Sequence, residues 1–372
     1  MRVCLVVPYD LSEQGGVKRH AFQLGAALRD LGDEVTVLGA SSTESQDPAV
    51  QTFGGIVNIR SNGSDNRLAI LTPPWRIRDW LHERAFDVVH VHEPLCPLLA
   101  PWAAIFAGAS ARVATFHAFA EREAFVPRMM RWWSAPIVLR HFDRAIAVSE
   151  PAATYARYAW KRDLAIIPNG ITIDPDRRQS PTTPRTGEPL RLLFIGHWRD
   201  ERKGLSVLLE AVAALRGRGA SVTLDVVGSG PAGVKAPVLD GVTFHGAVSN
   251  ETEVAEHLLA CDVFVAPALG QESFGIVLLE AMAAARPIVC SDIEGFRQVV
   301  GEANATFVPP GSPEALAAAI DQLGRQPELR GRLSAANRIR VKEFAWSSLV
   351  HRVRGEYVAA VQRRTLLVPV AS

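Results

Sequence analysis

The sequence predicts an α/β fold made of two doubly wound parallel sheets, and three observations support this prediction. Short apolar, β-branched segments alternate with longer helical patterns, first between residues 3 and 167 and again between residues 190 and 290. The polar, proline-rich segment Pro175–Pro189 separates the two series and has no periodic apolar face, which indicates an exposed linker. A chain of 372 residues is long enough for two domains of ordinary size.

The first series predicts the elements of one domain. Each strand is a short run of apolar residues, and each helix repeats apolar residues at every third or fourth position. The segments are Val3–Val7, Val17–Leu31, Glu34–Leu38, Asp87–His92, Leu95–Ala107, Arg112–Phe116, Arg144–Val148 and Leu164–Ile167. Sheets of this kind bind ligands beyond the carboxyl ends of their strands, so a cleft between the two sheets is the expected ligand site.

The second series predicts a second domain followed by a helical tail. The segments are Leu190–Ile195, Leu205–Arg216, Val222–Val227, Val242–Phe244, Glu251–Leu259, Val263–Ala266, Gly275–Ala285 and Ile288–Cys290. The tail carries three helical patterns, Pro313–Leu323, Glu328–Phe344 and Trp346–Arg364.

Charge and cysteine content exclude several classes of protein. Lys and Arg number 40 and Asp and Glu 39, so the formal net charge of +1 provides no overall field for nucleic acid. The four cysteines are scattered and form no C-x-x-C pair, which favours buried free thiols and a reducing compartment. No signal-peptide core and no apolar run of about 18 residues is found. We therefore expect a cytoplasmic protein that does not bind nucleic acid.

A glycine pair, Gly15-Gly16, stands between the first predicted strand and its helix. Glycine lets the backbone approach a ligand closely, and the helix N-terminus offers free N–H groups to an anion. The alternative is a tight strand-to-helix turn without a ligand. No third glycine follows at the spacing of a G-x-G-x-x-G motif, so a nicotinamide-dinucleotide site lacks its usual support.

A loop with three cations follows the first strand of the second domain. Arg199, Arg202 and Lys203 lie between this strand and the next helix, where they can neutralise a diphosphate. The alternative is a solvated turn of mixed charge, because Asp200 and Glu201 offset part of the positive charge.

Two glutamates, Glu272 and Glu280, stand at the start of and within an otherwise apolar helical pattern. The segment Ser273-Phe274-Gly275-Ile276 follows the first of them, and its glycine opens the helix. A carboxylate on an apolar surface needs a hydrogen-bonding partner, because burying an unpaired charge is costly. Hydroxyl groups of a sugar or ribose suit both acids, while the helix N-terminus faces phosphate. The alternative is a glutamate near a helix cap together with a structural salt bridge.

These motifs together resemble the retaining GT-B glycosyltransferases of glycosyltransferase family 4, over nearly the whole chain. Within that family the sequence is most similar to the bacterial phosphatidylinositol mannosyltransferases. The matching motifs are the E-x7-E pair Glu272 and Glu280, Arg202-Lys203-Gly204, Gly15-Gly16-Val17, Ile167-Pro168-Asn169-Gly170, Pro8-Tyr9, Asn62-Gly63-Ser64 with Arg67, His90-Val91-His92-Glu93-Pro94, Thr115-Phe116-His117 and Glu272-Ser273-Phe274-Gly275-Ile276-Val277.

The resemblance implies a GT-B architecture, in which two doubly wound, Rossmann-like domains face each other across a cleft. Residues 1–169 would form the acceptor-binding domain, residues 170–189 the hinge and linker, and residues 190–346 the nucleotide-sugar-binding domain. The final helix would cross back, so that residues 347–372 complete the first domain.

The resemblance also implies roles for residues on the donor side. His117, which would otherwise be interpreted as a satisfied histidine at a strand end, contacts the donor sugar near the reacting carbon. Gly16 presents its N–H to the donor phosphate and Glu272 binds sugar hydroxyls, and with His117 these two form the implied catalytic set. Lys203 holds the diphosphate and Glu280 the ribose. The remaining implied donor-binding residues are Gly15, Arg199, Arg202, Ser273, Phe274, Gly275 and Ile276.

The residues implied to line the acceptor pocket are Tyr9, Lys18, Asn62, Ser64 and Arg67. The planar guanidinium of Arg67 suits a phosphate group.

Two positions depart from the family pattern. Lys18 stands where the inositol-lipid enzymes usually carry glutamine, and His197 stands where the diphosphate loop usually carries arginine. Arg199 and Arg202 are the candidates to replace that missing guanidinium.

The implied function is transfer of a hexose, mannose from GDP-mannose, to a phosphatidylinositol-type lipid at the inner face of the cell membrane. Retention in the family is explained by front-side attack, in which the departing phosphate accepts the proton of the acceptor. The family needs no catalytic metal, so we expect no metal and no cofactor besides the donor substrate. Lys18 keeps open another lipid or a small soluble polyol as acceptor. His197 keeps open a catalytically degenerate binder of sugar nucleotides.

Two segments rich in arginine and tryptophan suggest contact with a membrane. Trp75–Leu81 and Phe125–Phe142 both suit an anionic lipid surface, and packing within the domain or across a dimer contact is the alternative for each.

The segment Asp174-Pro175-Asp176 has the form of a D-x-D metal motif. Its place in the linker and its proline favour a turn instead.

Overall fold

The computed structural model describes residues 1–12, 15–43, 45, 47–61, 64–69, 73–119, 135–173, 188–230, 234–248 and 251–367. The chain divides into two compact units, and each is an α/β domain. The first domain contains Met1–Thr172 together with Phe344–Ser372, and the second contains Ile173–Glu343.

The first domain is built on a parallel sheet to which an antiparallel hairpin is attached. Its strands are β1 (Arg2–Asp10), β2 (Glu34–Ala40), β3 (Val50–Thr52), β4 (Ile56–Ser61), β5 (Ser64–Ala69), β6 (Val88–His92), β7 (Ala111–Phe116), β8 (Arg144–Ala147) and β9 (Ala165–Ile166). The strand order of the parallel sheet is β3-β2-β1-β6-β7-β8-β9. The hairpin of β4 and β5 joins β1 where Leu68 pairs with Tyr9.

Helices cover both faces of this sheet because the strands bury side chains on both sides. The helices of the first part of the chain are α1 (Gly16–Asp30), α2 (Pro74–Arg84), α3 (Leu99–Phe106) and α4 (Glu150–Arg157). Alternation along β1 sends Cys4 and Val6 into the core that contains α2 and α3. Val3 and Leu5 enter the opposite core, which contains α1.

The second domain repeats this doubly wound arrangement. Its strands are β10 (Leu190–Ile195), β11 (Val222–Val227), β12 (Val242–Gly246), β13 (Val263–Ala266), β14 (Ile288–Ser291) and β15 (Thr306–Val308), in the parallel order β12-β11-β10-β13-β14-β15. Its helices are α5 (Leu205–Gly217), α6 (Glu251–Ala260), α7 (Ile276–Ala283), α8 (Glu294–Val300), α9 (Pro313–Arg325) and α10 (Pro327–Arg340).

The last helix, α11 (Trp346–Leu367), belongs to the first domain. Its residues Trp346, Val353 and Tyr357 are buried in the same core as α1. Ion pairs anchor it on the outside, with Arg354 Nε 3.0 Å from Asp33 Oδ2. The crossing of the C-terminal helix back onto the first domain is therefore confirmed.

The start of α11 packs against Gly170 and Ile171, which lie near the end of the first domain's N-terminal segment. The N–H of Ile171 donates to the carbonyl of Phe344 over 2.8 Å, and the N–H of Trp346 donates to the carbonyl of Ile171 over 3.1 Å. A Cβ atom at Gly170 would lie 2.4 Å from the Trp346 ring. Glycine is needed here because the tryptophan packs directly on the backbone.

Several predicted boundaries and elements differ from the structure. The helix predicted from Leu95 begins at Leu99, because Pro94 and Pro97 lack the N–H groups that a helix interior requires. The hairpin of β4 and β5 was not predicted, since its strands carry polar residues on both faces and show no alternation. The prediction of buried free thiols is confirmed for Cys4, Cys261 and Cys290, as the structure describes them.

Replacing Gly170 by alanine is expected to lower the free energy of unfolding by about 1–3 kcal/mol, because the new methyl group overlaps the Trp346 ring. Gly355→Ala is the matched control at an exposed position of α11, where a Cβ meets no atom within 4 Å, and it should stabilise the protein by about 0.5–1 kcal/mol. Urea denaturation measures both. Equal effects of the two substitutions would contradict the packing described for Trp346.

Candidate active site

Histidines cluster in the first domain where β6 and β7 end. His92 closes β6, His117 follows β7 directly, and His20 lies on the buried face of α1. His92 Nδ1 and His117 Nε2 are 3.1 Å apart and share a hydrogen bond. The His20 ring meets both edge-on, with ring centroids 5.3 Å from His92 and 4.8 Å from His117. The implied catalytic residue His117 is therefore one member of a buried cluster.

A fourth histidine, His90, connects this cluster to the C-terminal helix. Its Nδ1 lies 2.7 Å from the hydroxyl of Tyr357 on α11, and its Nε2 lies 2.6 Å from Thr115 Oγ1. The His90 and His92 rings are 4.4 Å apart between centroids. The contacts around His117 thus depend on α11 as well as on the sheet.

Burial keeps these histidines uncharged at neutral pH, because desolvation disfavours the imidazolium form. It lowers the pKa of His20 to about 4. Burial, together with the neighbouring histidines, lowers the pKa of His92 and His117 well below its usual range. The Asn169 side chain acts in the opposite direction on His20 and His117, by a smaller amount. A neutral His117 offers one N–H donor and one lone pair.

The carboxylate of Glu93 fixes the backbone at His117. Glu93 follows β6 with a left-handed backbone, φ 51°, and its own N–H donates to the carbonyl of Thr115 over 2.8 Å. Its Oε1 accepts the N–H groups of His117 and Ala118 over 2.6 and 2.7 Å. Charge-assisted bonds of this length are strong, so the backbone of His117 and Ala118 has one defined position.

A second buried carboxylate, Asp10, organises the implied acceptor side at the end of β1. It accepts the hydroxyls of Ser12 and Ser42 over 2.7 and 3.0 Å, and it lies 3.2 Å from Arg67 Nη2. Burial alone would raise the pKa of Asp10, but the bonds from Ser12 and Ser42 lower it. The carboxylate is therefore charged and holds Arg67, whose side chain remains 39% exposed.

Of the implied acceptor residues, Tyr9 on β1 pairs through the backbone with Leu68, which follows Arg67 on β5. The Tyr9 hydroxyl accepts a hydrogen bond from Cys96 Sγ over 3.7 Å, and burial raises the pKa of Tyr9 well above its usual value. Ser64 begins β5 and pairs with Ser61 through the backbone. Asn62 lies outside the described residues.

Among the described residues, no side chain caps the N-terminus of α1, which suits an anion site. Gly15 precedes the helix without a side-chain cap, and no acidic residue occurs in the first turn. Gly15 and Gly16 are both exposed, and a Cβ on Gly15 would meet no atom within 4 Å. Lys18 is half-buried in this turn, with its Nζ 5.8 Å from the centroid of the Phe22 ring. The first N–H groups of α1 are thus available to a phosphate.

In the second domain, the structure brings Lys203 and Glu272 together. Their charged atoms, Nζ and Oε1, are 2.6 Å apart, and both side chains are partly exposed. Lys203 ends a short turn of 3-10 helix, Glu201–Lys203, and Gly204 follows with φ 70°. A Cβ at Gly204 would lie 1.9 Å from the carbonyl oxygen of Pro267, so glycine permits the close approach of the two loops.

The two arginines of the same loop have other contacts. Arg202 forms a two-pronged ion pair with the buried carboxylate of Asp200, at 2.7 and 3.1 Å. Arg199 lies over the Trp198 ring, 5.3 Å from its centroid, and lines a cavity of about 320 Å³ with Lys235. The structure therefore groups Lys203 with Glu272, and it gives each arginine a different neighbour.

The segment after Glu272 leads into α7 through Gly275, which has φ 85° and caps the helix without a side-chain hydrogen bond. Phe274 is buried, and Ser273 and Ile276 are partly buried. Glu280 lies within α7 and is only 8% exposed. The uncapped N-terminus of α7 therefore comes shortly after Glu272 in the sequence.

Comparison with known proteins decides the family. Residues 14–175 match the family described as Glycosyltransferase Family 4, and residues 189–326 match the glycosyl transferases group 1. The phosphatidyl-myo-inositol mannosyltransferase of Mycobacterium leprae is 35% identical over 369 residues, which cover 96% of each chain. The enzyme of the same name from Mycolicibacterium smegmatis is 36% identical over 359 residues, 93% of this chain and 91% of its own. This chain belongs to the family 4 glycosyltransferases.

The fold of this glycosyltransferase agrees with that assignment. Sucrose-phosphate synthase from Thermosynechococcus elongatus superimposes with a TM-score of 0.72 at 22% identity, over 98% of this chain and 99% of the other. The predictions of a GT-B fold, of membership in glycosyltransferase family 4 and of a hexosyltransferase are confirmed.

Sequence reasoning on this glycosyltransferase missed three residues of the site. Asp10 was not singled out, Glu93 was noted only as part of a motif, and His20 was not considered. One signal for His20 was present, because it stands four residues before Leu24 and eight before Leu28 on the buried stripe of α1. A polar residue in such a stripe indicates a buried contact.

The structure tests the prediction of membrane contact for only one of the two segments rich in arginine and tryptophan. In Trp75–Leu81, the side chains Ile77, Trp80 and Leu81 are buried in the first domain, which supports packing for these residues, while Trp75 is 61% exposed. Most of Phe125–Phe142 lies outside the described residues, as does Asp174-Pro175-Asp176. In the part of the chain that the structure describes, no helix has both the length and the apolar character to cross a bilayer.

Glu93→Ala is expected to destabilise the first domain by about 2 kcal/mol or more, because two buried N–H groups lose their acceptor. Glu93→Gln keeps an oxygen that can accept both bonds and should retain most of the stability. Thermal unfolding compares the two variants. If alanine proves as stable as glutamine at this position, the anchoring role of Glu93 is wrong.

The free energy of unfolding should fall as the pH drops from about 6.5 towards 4. In the unfolded chain His20 binds a proton over this range, whereas in the folded protein it stays neutral until the pH reaches its lowered pKa of about 4. His20→Phe keeps a ring against Trp346 and should lose about 2 kcal/mol less between pH 7 and pH 5, at about 1.4 kcal/mol per pKa unit. Urea unfolding with chelator present measures this difference. Exposed His351→Gln is the control, and a difference as large there would refute the assignment to His20.

Proposed function

We propose that this glycosyltransferase transfers mannose from GDP-mannose to a phosphatidylinositol-type lipid, with retention of configuration at the sugar. The observation that carries the proposal is the likeness to the two mannosyltransferases, at 35% and 36% identity over more than nine-tenths of each chain. The residues of both domains have the chemistry that this reaction needs.

On the donor side, Lys203 and the N-terminus of α7 would hold the diphosphate. Without a ligand, Glu272 neutralises Lys203 at 2.6 Å. A diphosphate carries more negative charge than a carboxylate and would compete for the ammonium group, which frees Glu272 to accept hydroxyls of the sugar. Glu280 would bind the ribose. The N–H of Gly16, at the open start of α1, would add a donor to the phosphate.

His117 would contact the donor sugar as a neutral ring. Its bond to His92 Nδ1 orients the imidazole, and Glu93 fixes the backbone beneath it. The proposed chemistry is front-side attack. An oxygen of the departing diphosphate takes the proton of the acceptor hydroxyl, the bond from sugar to phosphate breaks, and the new bond forms on the same face. Lys203 and the N–H groups stabilise the leaving charge, so the proposed reaction needs no catalytic metal.

On the acceptor side, Arg67 would bind the phosphate of the lipid headgroup next to Tyr9. Its ion pair with Asp10 holds the guanidinium in place and leaves it partly exposed. The enzyme would act as a peripheral protein at the inner face of the cell membrane. Lys18 favours a second candidate acceptor, a soluble inositol phosphate, because it adds a cation to the first turn of α1.

The test is release of GDP from GDP-mannose with and without phosphatidylinositol liposomes, with EDTA present and the product mass determined. The proposal predicts lipid-dependent release, a gain of one hexose in the lipid, and no loss of rate with EDTA. Turnover on a soluble inositol phosphate alone would favour the second candidate. Binding of GDP without turnover on either acceptor would refute transfer and leave a catalytically degenerate sugar-nucleotide binder.

Lys203→Met is expected to lower kcat/KM for GDP-mannose by about 100-fold, because the leaving diphosphate loses a charged partner. Lys235→Met, at an exposed lysine of the same domain, is the matched control and should change the rate less than about twofold. Steady-state kinetics with saturating lipid compare the two. A small effect at Lys203 would show that the diphosphate is held elsewhere.

A further inference from the structure

Three histidines of the first domain present ring nitrogens to one another at close range. One nitrogen from each of His20, His92 and His117 lies within 4.8 Å of those of the other two. The three side chains come from separate elements, α1, β6 and the loop after β7, and all are buried. Among the described residues, this is the group of histidine, cysteine and acidic side chains whose spacing suits a metal ion.

We propose that His20, His92 and His117 form a binding site for Zn²⁺. Imidazole is a preferred zinc ligand, and three histidines with one open position form a common tetrahedral set. Nitrogens bound to zinc at 2.0–2.1 Å in a tetrahedron lie about 3.3 Å apart. His92 Nδ1 and His117 Nε2 are already 3.1 Å apart. The other nitrogen–nitrogen distances are at most 4.8 Å, so the three ligands would have to close in by up to about 1.5 Å around a zinc ion.

The hydrogen bonding of the cluster also favours a ligand. Among the described residues, His20 Nδ1, His92 Nε2 and Asn169 Oδ1 are buried and have no hydrogen-bond partner. Leaving such atoms unsatisfied is costly. A metal ion bound through His20 Nδ1 would satisfy one of these atoms.

The surroundings limit how far the ligands can move. His20 packs edge-on against Trp346, with ring centroids 5.1 Å apart. The backbone of His117 is held by Glu93 at 2.6 Å, and that carboxylate also supplies negative charge close to the site. These neighbours restrict the rotamers of His20 and the backbone of His117, which lowers the conformational entropy lost on binding metal.

Occupancy of this site would stop sugar transfer. A bound ion takes the ring nitrogen of His117, and in the function proposed above that ring contacts the donor sugar. Zn²⁺ is then an inhibitor that a chelator removes and is no part of catalysis. This consequence for turnover rests on the proposed function, whereas metal binding itself does not.

The first test titrates Co²⁺ into the full-length, chelator-treated protein and follows the visible absorption of a tetrahedral cobalt site, which Zn²⁺ should then displace. His92→Gln and His20→Phe should each weaken binding at least tenfold. His245→Gln is the control, because His245 forms an exposed cluster with His257 and Asp225 that offers a rival surface site. No tetrahedral spectrum, or loss of it only in His245→Gln, would overturn the proposal.

Crystals of the wild-type protein soaked with Zn²⁺ give a second test that does not depend on whether the variants fold. Anomalous scattering at the zinc edge should show an ion bound by the three histidines at about 2.0–2.1 Å. Zinc only at His245, or none, would refute the site. If cobalt and zinc bind as expected but no sugar is transferred under any condition, the proposed function fails and the metal site stands.

Discussion

The carboxylate of Glu93 accepts two backbone N–H groups from the loop that follows β7, and much of the first domain's chemistry depends on this contact. It fixes where His117 leaves the sheet, and His117 in turn defines the positions of His92 and His20 around it. Both N–H groups donate to the same carboxylate oxygen, Oε1, which can accept more than one hydrogen bond. Glu93 itself has a left-handed backbone, which carries a conformational cost for a residue other than glycine.

Charge in the second domain follows a related principle, in which acidic side chains hold the cations of one loop in place. Asp200 binds Arg202 and Glu272 binds Lys203. Without these partners, neighbouring cations in one loop would repel each other and adopt several conformations. In the proposed function, a diphosphate that replaced the carboxylate of Glu272 would change the net charge of the loop and release an acid suited to hydroxyl groups. The loop would then be ordered before the donor binds, and the internal ion pair would compete with the donor for Lys203.

The sequence predicted the elements whose residues are apolar and regularly spaced, and it failed where side chains from distant positions meet. The β1, β7 and β10 strands and the helix α11 were recognisable from local pattern. The polar hairpin of β4 and β5 was not, because its pairing with β1 is a tertiary contact. Lys203 and Glu272 were each identified as donor residues, but 69 positions separate them and no local pattern encodes their ion pair. The position of His20 on the apolar stripe of α1 indicates burial, but its contact with Trp346 is a tertiary contact that no local pattern encodes.

The way the first domain is assembled from both ends of the chain has a consequence for its biosynthesis. The second domain, Ile173–Glu343, is one continuous stretch and can fold as soon as it leaves the ribosome. The first domain lacks α11 until the whole of the second domain has been synthesised, so the core that α11 shares with α1 stays incomplete throughout that time. The first domain, although its first strands are made earliest, therefore completes its core after the second domain has been synthesised.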